Sequence, residues 1–179
     1  MTMQERYTKE IAPALRKAMG DVNVHMIPKP VSVTIGVGIS PTKHKDGKLM
    51  ETATEVLTRI SGQKPVQTKS RKSISNFKTR AGQVIGLKVT LRGKRMWDFI
   101  DKMVNLTFPR VRDFRGISPK VIDRTGNLSV GFTEHIAFPE IHSDEIERVH
   151  GLQVSISTTA KDAASGLALF EALGFPFQK

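Results

Sequence analysis

The sequence predicts an α+β fold: a mostly antiparallel sheet with helices packed on one face and a long basic loop projecting from it. Three observations lead there. Segments with apolar residues at every second position alternate along the chain with segments at helical spacing. Several of the strand-like segments are joined by hairpin-length links, which favours antiparallel pairing. Between two of them lies Lys69 to Gly82, polar and basic, with only Ile74 and Phe77 as large apolar residues.

The elements follow in order. Met3, Tyr7, Ile11, Ala14, Leu15 and Ala18 recur at helical spacing and stop at Gly20, with Pro13 inside the pattern either kinking the helix or restarting it. Val31, Val33, Ile35 and Val37 alternate as a strand that ends in Gly36 and Gly38. Leu49 to Ile60 is helical through Ala53, Val56 and Leu57, and Gly62 and Pro65 close it. Val66 to Thr68 pairs with Val84 to Leu91, whose Ile85, Leu87, Val89 and Leu91 alternate. Met96 to Leu106 is a helix with Trp97, Ile100, Met103 and Val104 on one face, stopping before Pro109. Leu128 to Phe132 and Leu152 to Ser157 are further strands, and Ala163 to Leu173 is a closing helix ended by Gly174 and Pro176. At 179 residues the chain is read as one domain over 1–179, with halves of about 1–80 (including the basic loop 69–82) and 83–179.

Composition narrows the function. There are no cysteines, so disulfides and thiolate metal sites are excluded. No apolar run reaches the roughly 18–20 residues that a bilayer crossing needs, and Met1 to Arg16 lacks a signal-peptide core. A soluble, cytoplasmic protein with no membrane partner is expected. The net charge of +11 comes from 28 Lys+Arg against 17 Asp+Glu, and its distribution is uneven. No acidic residue occurs between Glu55 and Asp98, a stretch holding Arg59, Lys64, Lys69, Arg71, Lys72, Lys78, Arg80, Lys88, Arg92, Lys94 and Arg95. The rest of the chain is formally neutral. A charge kept for solubility is scattered, whereas a concentrated field points to a polyanionic partner.

Catalytic patterns are missing. His25, His44, His135, His142 and His150 show no metal-binding spacing, and there is no nucleophile elbow or phosphate-cradling lysine loop. Gly36-Val-Gly38 begins a dinucleotide fingerprint but has Pro41 where the third glycine belongs, so a strand-edge turn is the better reading. Asp144 and Glu145 sit in a charge-dense, solvated stretch. The reading is a non-enzyme with no cofactor and no metal.

What is present suits RNA. Lys69-Ser-Arg-Lys-Ser73 and Phe77-Lys-Thr-Arg80 surround one aromatic with cations and hydroxyls, which bind phosphates and sugars. Phe77 either stacks on a splayed base or pins the loop to the protein. Along Lys88-Val-Thr-Leu-Arg92, alternation puts Lys88, Thr90 and Arg92 on one face and Val89 and Leu91 on the core face. Gln63, at a helix-to-strand corner beside Lys64, offers a donor and an acceptor. A second cluster, Arg110, Arg112, Asp113, Phe114 and Arg115, either grips an RNA or protein surface or folds back through an Arg–Asp113 pair.

At these residues the chain resembles the bacterial type of the ribosomal protein L5 family. Ile60-Ser-Gly-Gln-Lys-Pro65 followed by Thr68-Lys-Ser-Arg-Lys-Ser73 is similar to the family's signature segment. The likeness continues through Lys88-Val-Thr-Leu-Arg-Gly93, Arg95-Met-Trp-x-Phe99, Pro109-Arg-x-Arg-Asp-Phe-Arg-Gly116, Phe138-Pro-Glu-Ile141, Thr158-Thr-Ala-Lys161 and Gly174-Phe-Pro-Phe177. It implies a structural constituent of the large ribosomal subunit that attaches 5S rRNA to the central protuberance. The implied 5S rRNA surface is Thr34, Gly36, Gly38, Gln63, Lys64, Lys88, Thr90 and Arg92. The implied P-site tRNA loop carries Lys69, Arg71, Lys72, Ser73, Phe77, Lys78 and Arg80. Arg110, Arg112, Asp113, Phe114 and Arg115, with the Phe138 to Ser143 segment, would meet a small-subunit head protein as an intersubunit bridge. Large-subunit rRNA and neighbouring central-protuberance proteins are the other implied partners. The chain departs from the family at Thr34, where asparagine is usual, and at His142-Ser143. The alternative to a ribosomal constituent is a free-standing RNA-binding regulator or chaperone using the same surface.

Overall fold

The structure of the protein, a computed structural model, describes residues 1–39, 48–141 and 149–178. Pro41, His44 and the 142–148 stretch, with His142, Ser143, Asp144 and Glu145, therefore lie outside the described residues. The chain forms two compact units, each entered more than once: one from 1–33, 91–130 and 155–179, the other from 34–90 and 131–154.

In the first unit the chain opens on α1 (Met3–Arg6), whose start is closed by a capping box. The Thr2 hydroxyl accepts from the Glu5 amide, and the Glu5 carboxylate accepts from the Thr2 amide. A π-helical turn (Tyr7–Ile11) follows, and α2 (Ala12–Ala18) restarts with Pro13 in its first turn. Proline has no N–H to donate, and its ring clashes with the carbonyl four residues back. The π turn, in which the Ala12 amide donates to the Tyr7 carbonyl, gives the ring room. Restarting, one of the two outcomes expected at Pro13, is what occurs.

The same device recurs at Pro109. The helix α4 (Gly93–Lys102) passes through a π turn (Met103–Thr107), where the Phe108 amide donates to the Met103 carbonyl, into α5 (Phe108–Arg110). The expected stop before Pro109 is thus corrected: the helical run carries through it. Trp97, Ile100 and Met103 are buried as their spacing predicts. Phe108 is buried too, and Phe175 packs edge-on against it and against Phe170 of α6 (Ala163–Ala172). Asp162 caps α6, its carboxylate accepting from the Ser165 amide at 2.7 Å.

In the second unit, α3 (Lys48–Ser61) buries Leu49, Ala53, Val56, Leu57 and Ile60, the predicted stripe. Gly62 ends it at φ +66, a left-handed conformation that favours glycine. His135 and His150, 15 residues apart, stack at 4.1 Å between ring centroids. The His150 amide donates to His135 Nδ1, and the His135 amide donates to the His150 carbonyl.

The strands are β1 (Pro30–Gly38), β2 (Val66–Lys69), β3 (Val84–Leu91), β4 (Leu128–Phe132) and β5 (Leu152–Thr158). They form one antiparallel sheet in the order β2-β3-β1-β5-β4, so the architecture is α+β as expected. β2 pairs with β3 with Val66 opposite Lys88 and Thr68 opposite Gly86. Val33, Ile35, Val37, Leu87, Val89, Leu91, Leu152, Val154 and Ile156 are all buried, and alternation leaves the residues between them on the other face. Val31 departs from the pattern and is exposed.

A candidate RNA-binding face and its basic flank

In the second unit, parity along the strands sets which residues face away from the core. Because Val33, Ile35 and Val37 point to the core, Thr34, Gly36 and Gly38 lie on the opposite side of β1. On β3 the same argument places Lys88 and Thr90 there, Lys88 exposed and Thr90 half-buried. Gly36, Gly38, Thr68, Lys88, Gly151 and Gln153 line an open groove of about 440 Å³ on this face. Its polar side chains are a hydroxyl, an ammonium and an amide. Among the described residues its lining includes no carboxylate and no aromatic ring.

The glycines on this side of the sheet are of two kinds. A Cβ on Gly86 would lie 2.5 Å from the Val37 carbonyl oxygen, and one on Gly151 would lie 2.9 Å from the Phe132 carbonyl oxygen. The protein's own packing forbids a side chain at both positions. At Gly38 a Cβ would meet nothing within 4 Å, and at Gly36 only the Leu87 carbonyl oxygen at 4.0 Å. Neither has a positive φ. Glycine in a strand is destabilising by about 0.5–1 kcal/mol relative to alanine, and nothing within the described residues requires it at 36 or 38. The bare backbone there suits close approach by something outside the chain.

Of the other predicted sheet residues, Lys64 is exposed and Gln63 half-buried. The Gln63 amide nitrogen sits 3.5 Å from the Thr90 carbonyl, a long contact that leaves its carbonyl oxygen to accept from a partner. Arg92 belongs to the first unit. It follows the last residue of β3, remains extended at φ −141 and ψ 166, and is exposed at the start of α4. Thr68, Gly151 and Gln153 were not singled out from the sequence. Their own strands predict which way they point, but only the strand order brings β5 beside β1.

The basic segment continues the β2–β3 hairpin. The Ser70 amide donates to the Gln83 carbonyl and the Gly82 amide to the Ser70 carbonyl, and Ile74 and Thr79 form a further antiparallel rung. Lys78, at φ +51, closes the turn with its amide on the Ser75 carbonyl. The Ser73 hydroxyl accepts from the Ala81 amide at 2.9 Å, so this predicted contact residue also holds the loop together while keeping its own O–H to donate. Phe77 is 67% exposed at the tip. Lys69, Arg71, Lys72, Lys78 and Arg80 are exposed around it.

Electrostatics across the acid-free stretch is nearly uniform. Arg59 is bonded to Glu55 at 2.7 Å. The other ten cations, Lys64 to Arg95, are exposed, and none forms an ion pair with the described residues. Their charge is directed outward.

In the first unit, Phe114 stacks on buried Phe108 with centroids 5.3 Å apart, so it anchors its turn. Arg110, Arg112, Asp113 and Arg115 are exposed, and no arginine among the described residues pairs with Asp113. The fold-back alternative for this cluster does not occur. Asp113 holds the turn at φ +53 instead.

Comparison with known proteins identifies the family. The family model described as Ribosomal protein L5 matches residues 23–80, and the model describing the C-terminus of the same ribosomal family matches 84–177. Large ribosomal subunit protein uL5 of Fervidobacterium nodosum is 47% identical over 178 residues, covering 99% of this chain and 96% of that protein. The proteins of the same name from Thermotoga maritima and Colwellia psychrerythraea are each 45% identical over 177 residues, covering 99% of this chain and 96% and 97% of theirs. Together the two matches and these full-length relatives establish that the chain is a member of the ribosomal protein L5 family.

Proposed function

We propose that this protein, a non-enzymatic constituent of the large ribosomal subunit, binds 5S rRNA through the open face of its sheet and helps attach it to the central protuberance. The observation that carries the reading is the outward, unpaired display of ten cations, seven of them (Lys64 to Lys88) in the unit that holds the groove, whose lining among the described residues has no carboxylate. Mechanism is passive. Strands fix Thr34, Thr90 and Lys88, while Gly36 and Gly38 admit a close surface. Gln63 and Lys64 stand at the corner, and Arg92 adds a guanidinium that can bond a phosphate through two N–H groups.

The loop from Lys69 to Gly82 is assigned to P-site tRNA. Its charges lie on a hairpin tip around the exposed Phe77, whose ring is assigned to stack on a base. Arg110, Arg112 and Arg115, with Asp113 shaping and Phe114 anchoring their turn, are assigned to the bridge with a small-subunit head protein. The Phe138 to Ser143 segment, whose last two residues lie outside the described residues, is assigned there as well, although Phe138 itself is fully buried and serves the core.

Binding of a 5S rRNA transcript measured against salt tests the central assignment. Neutralising about six phosphates gives a log–log slope of roughly −4 or steeper, and a nearly flat dependence overturns it. Sedimentation separates the ribosomal role from a free regulator, because a constituent co-migrates with large subunits after a moderate salt wash.

A further inference from the structure

We infer that residues 175–178, the segment that follows α6, are the anchor that holds the turn 110–116 in place and so positions its arginines for a partner. The inference rests on the proposed use of that turn as a bridge to the small subunit.

The turn is fastened at both ends by this one segment. At its start, Phe114 stacks on Phe108, and Phe175 meets Phe108 edge-on with centroids 5.9 Å apart. Phe175 is itself buried and packs on buried Phe170 of α6 at 5.1 Å, which ties the contact to the core. At its end, Ile117 and Phe177 form a parallel rung. The Ile117 amide donates to the Pro176 carbonyl at 2.7 Å, and the Gln178 amide donates to the Ile117 carbonyl at 2.9 Å. The Gln178 side-chain amide donates to the Gly116 carbonyl at 3.2 Å. Gly116 holds φ +96, and a Cβ there would lie 3.1 Å from the Gln178 amide nitrogen, so glycine lets the segment close against the turn.

The side chains that the turn displays do not hold it. Arg110, Arg112, Asp113 and Arg115 are exposed, and none of them forms an ion pair among the described residues. The spacing of the guanidiniums therefore depends on how the ends of the turn are fixed. Ordering a loop on contact costs conformational entropy, so a turn fixed beforehand binds more tightly through the same side chains. Gln178 acts through the turn and touches no partner itself: it is a positioning residue.

The test uses the full chain with two variants. Gln178→Pro removes the main-chain N–H that bonds Ile117, and Gln178→Ala removes only the side-chain bond. Amide exchange read by mass spectrometry should be about 3–10-fold faster across residues 109–117 in Gln178→Pro, the effect of one lost hydrogen bond. It should rise less in Gln178→Ala and stay as in the wild type elsewhere. Large subunits carrying Gln178→Pro as their only copy should associate about 3–10-fold more weakly with wild-type small subunits at limiting magnesium. Affinity for a 5S rRNA transcript should not change. Unaltered exchange across 109–117 in Gln178→Pro overturns the anchor, and faster exchange throughout the chain in both variants overturns it in favour of a general structural role. If the turn loosens yet association holds, while Arg112→Ala with Arg115→Ala weakens association, the positioning role is overturned and the bridge stands. If that arginine variant also associates like the wild type, the bridge assignment fails and the inference falls with it.

Discussion

Gly126 and Gly166 meet backbone to backbone: a Cβ built on Gly166 would lie 2.5 Å from the Gly126 Cα and 2.6 Å from its carbonyl oxygen. Gly126 sits at φ +75 in the turn before β4, and Gly166 is buried within α6. Alanine is ordinarily favoured over glycine by about 1 kcal/mol inside a helix. Here the contact is with main chain, which yields less readily than a side-chain tip, and overpacking of this kind typically costs about 1–3 kcal/mol. Gly166→Ala is therefore expected to lower stability by about 2 kcal/mol, read as a lower melting temperature. A rise in melting temperature shows that helix propensity has won.

Gly38→Ala and Gly86→Ala should separate binding from folding. The Cβ of the first enters open space, so melting temperature should hold or rise slightly, while affinity for 5S rRNA falls. The second meets the Val37 carbonyl oxygen at 2.5 Å and should destabilise the fold by about 1–3 kcal/mol. Equal loss of stability in both variants removes the distinction between the two kinds of glycine.

Acid should weaken the turn before β4. The Asp123 carboxylate accepts from the Asn127 amide at 2.8 Å, from the Asn127 side chain at 3.0 Å and from the Thr125 amide and hydroxyl at 2.9 Å. These bonds, those from Asn127 foremost, hold its pKa below the ordinary carboxylate value. A group whose pKa is depressed by folding stabilises the protein above its unfolded pKa of about 3.9, and that contribution is lost as pH falls through the folded value. Asp123→Asn should thus be less stable than wild type at neutral pH, with the gap closing on acidification below about pH 4. A gap independent of pH, measured by denaturant unfolding at several pH values, refutes the charge-based account.

Arg92 and the loop lysines should divide the RNA partners. Arg92→Ala is expected to weaken 5S rRNA binding by roughly 1–3 kcal/mol, the range for a charge-assisted bond. Lys72→Ala with Lys78→Ala should spare that affinity and reduce crosslinking to P-site tRNA on assembled ribosomes. Equal damage to 5S binding by both changes would erase the division of the surface.

Much of this molecule was determined locally. Alternation within β3 and helical spacing within α3 fix which side chains are buried, because those periodicities follow from the backbone geometry of each element alone. The crowding of cations between Glu55 and Asp98 is likewise a property of the chain as written, whereas their outward display is seen only in the folded protein. Tertiary structure decided what depends on neighbours. The helical run through Pro109 required a π turn that no propensity announces, and Phe114 was committed to Phe108 by packing rather than offered to a partner. Gln153 joined Lys88 across one groove only because β5 docks beside β1. Strand order brings together residues far apart in the chain, and such long-range pairing is set by the burial of both strands' apolar faces, which neither strand encodes by itself.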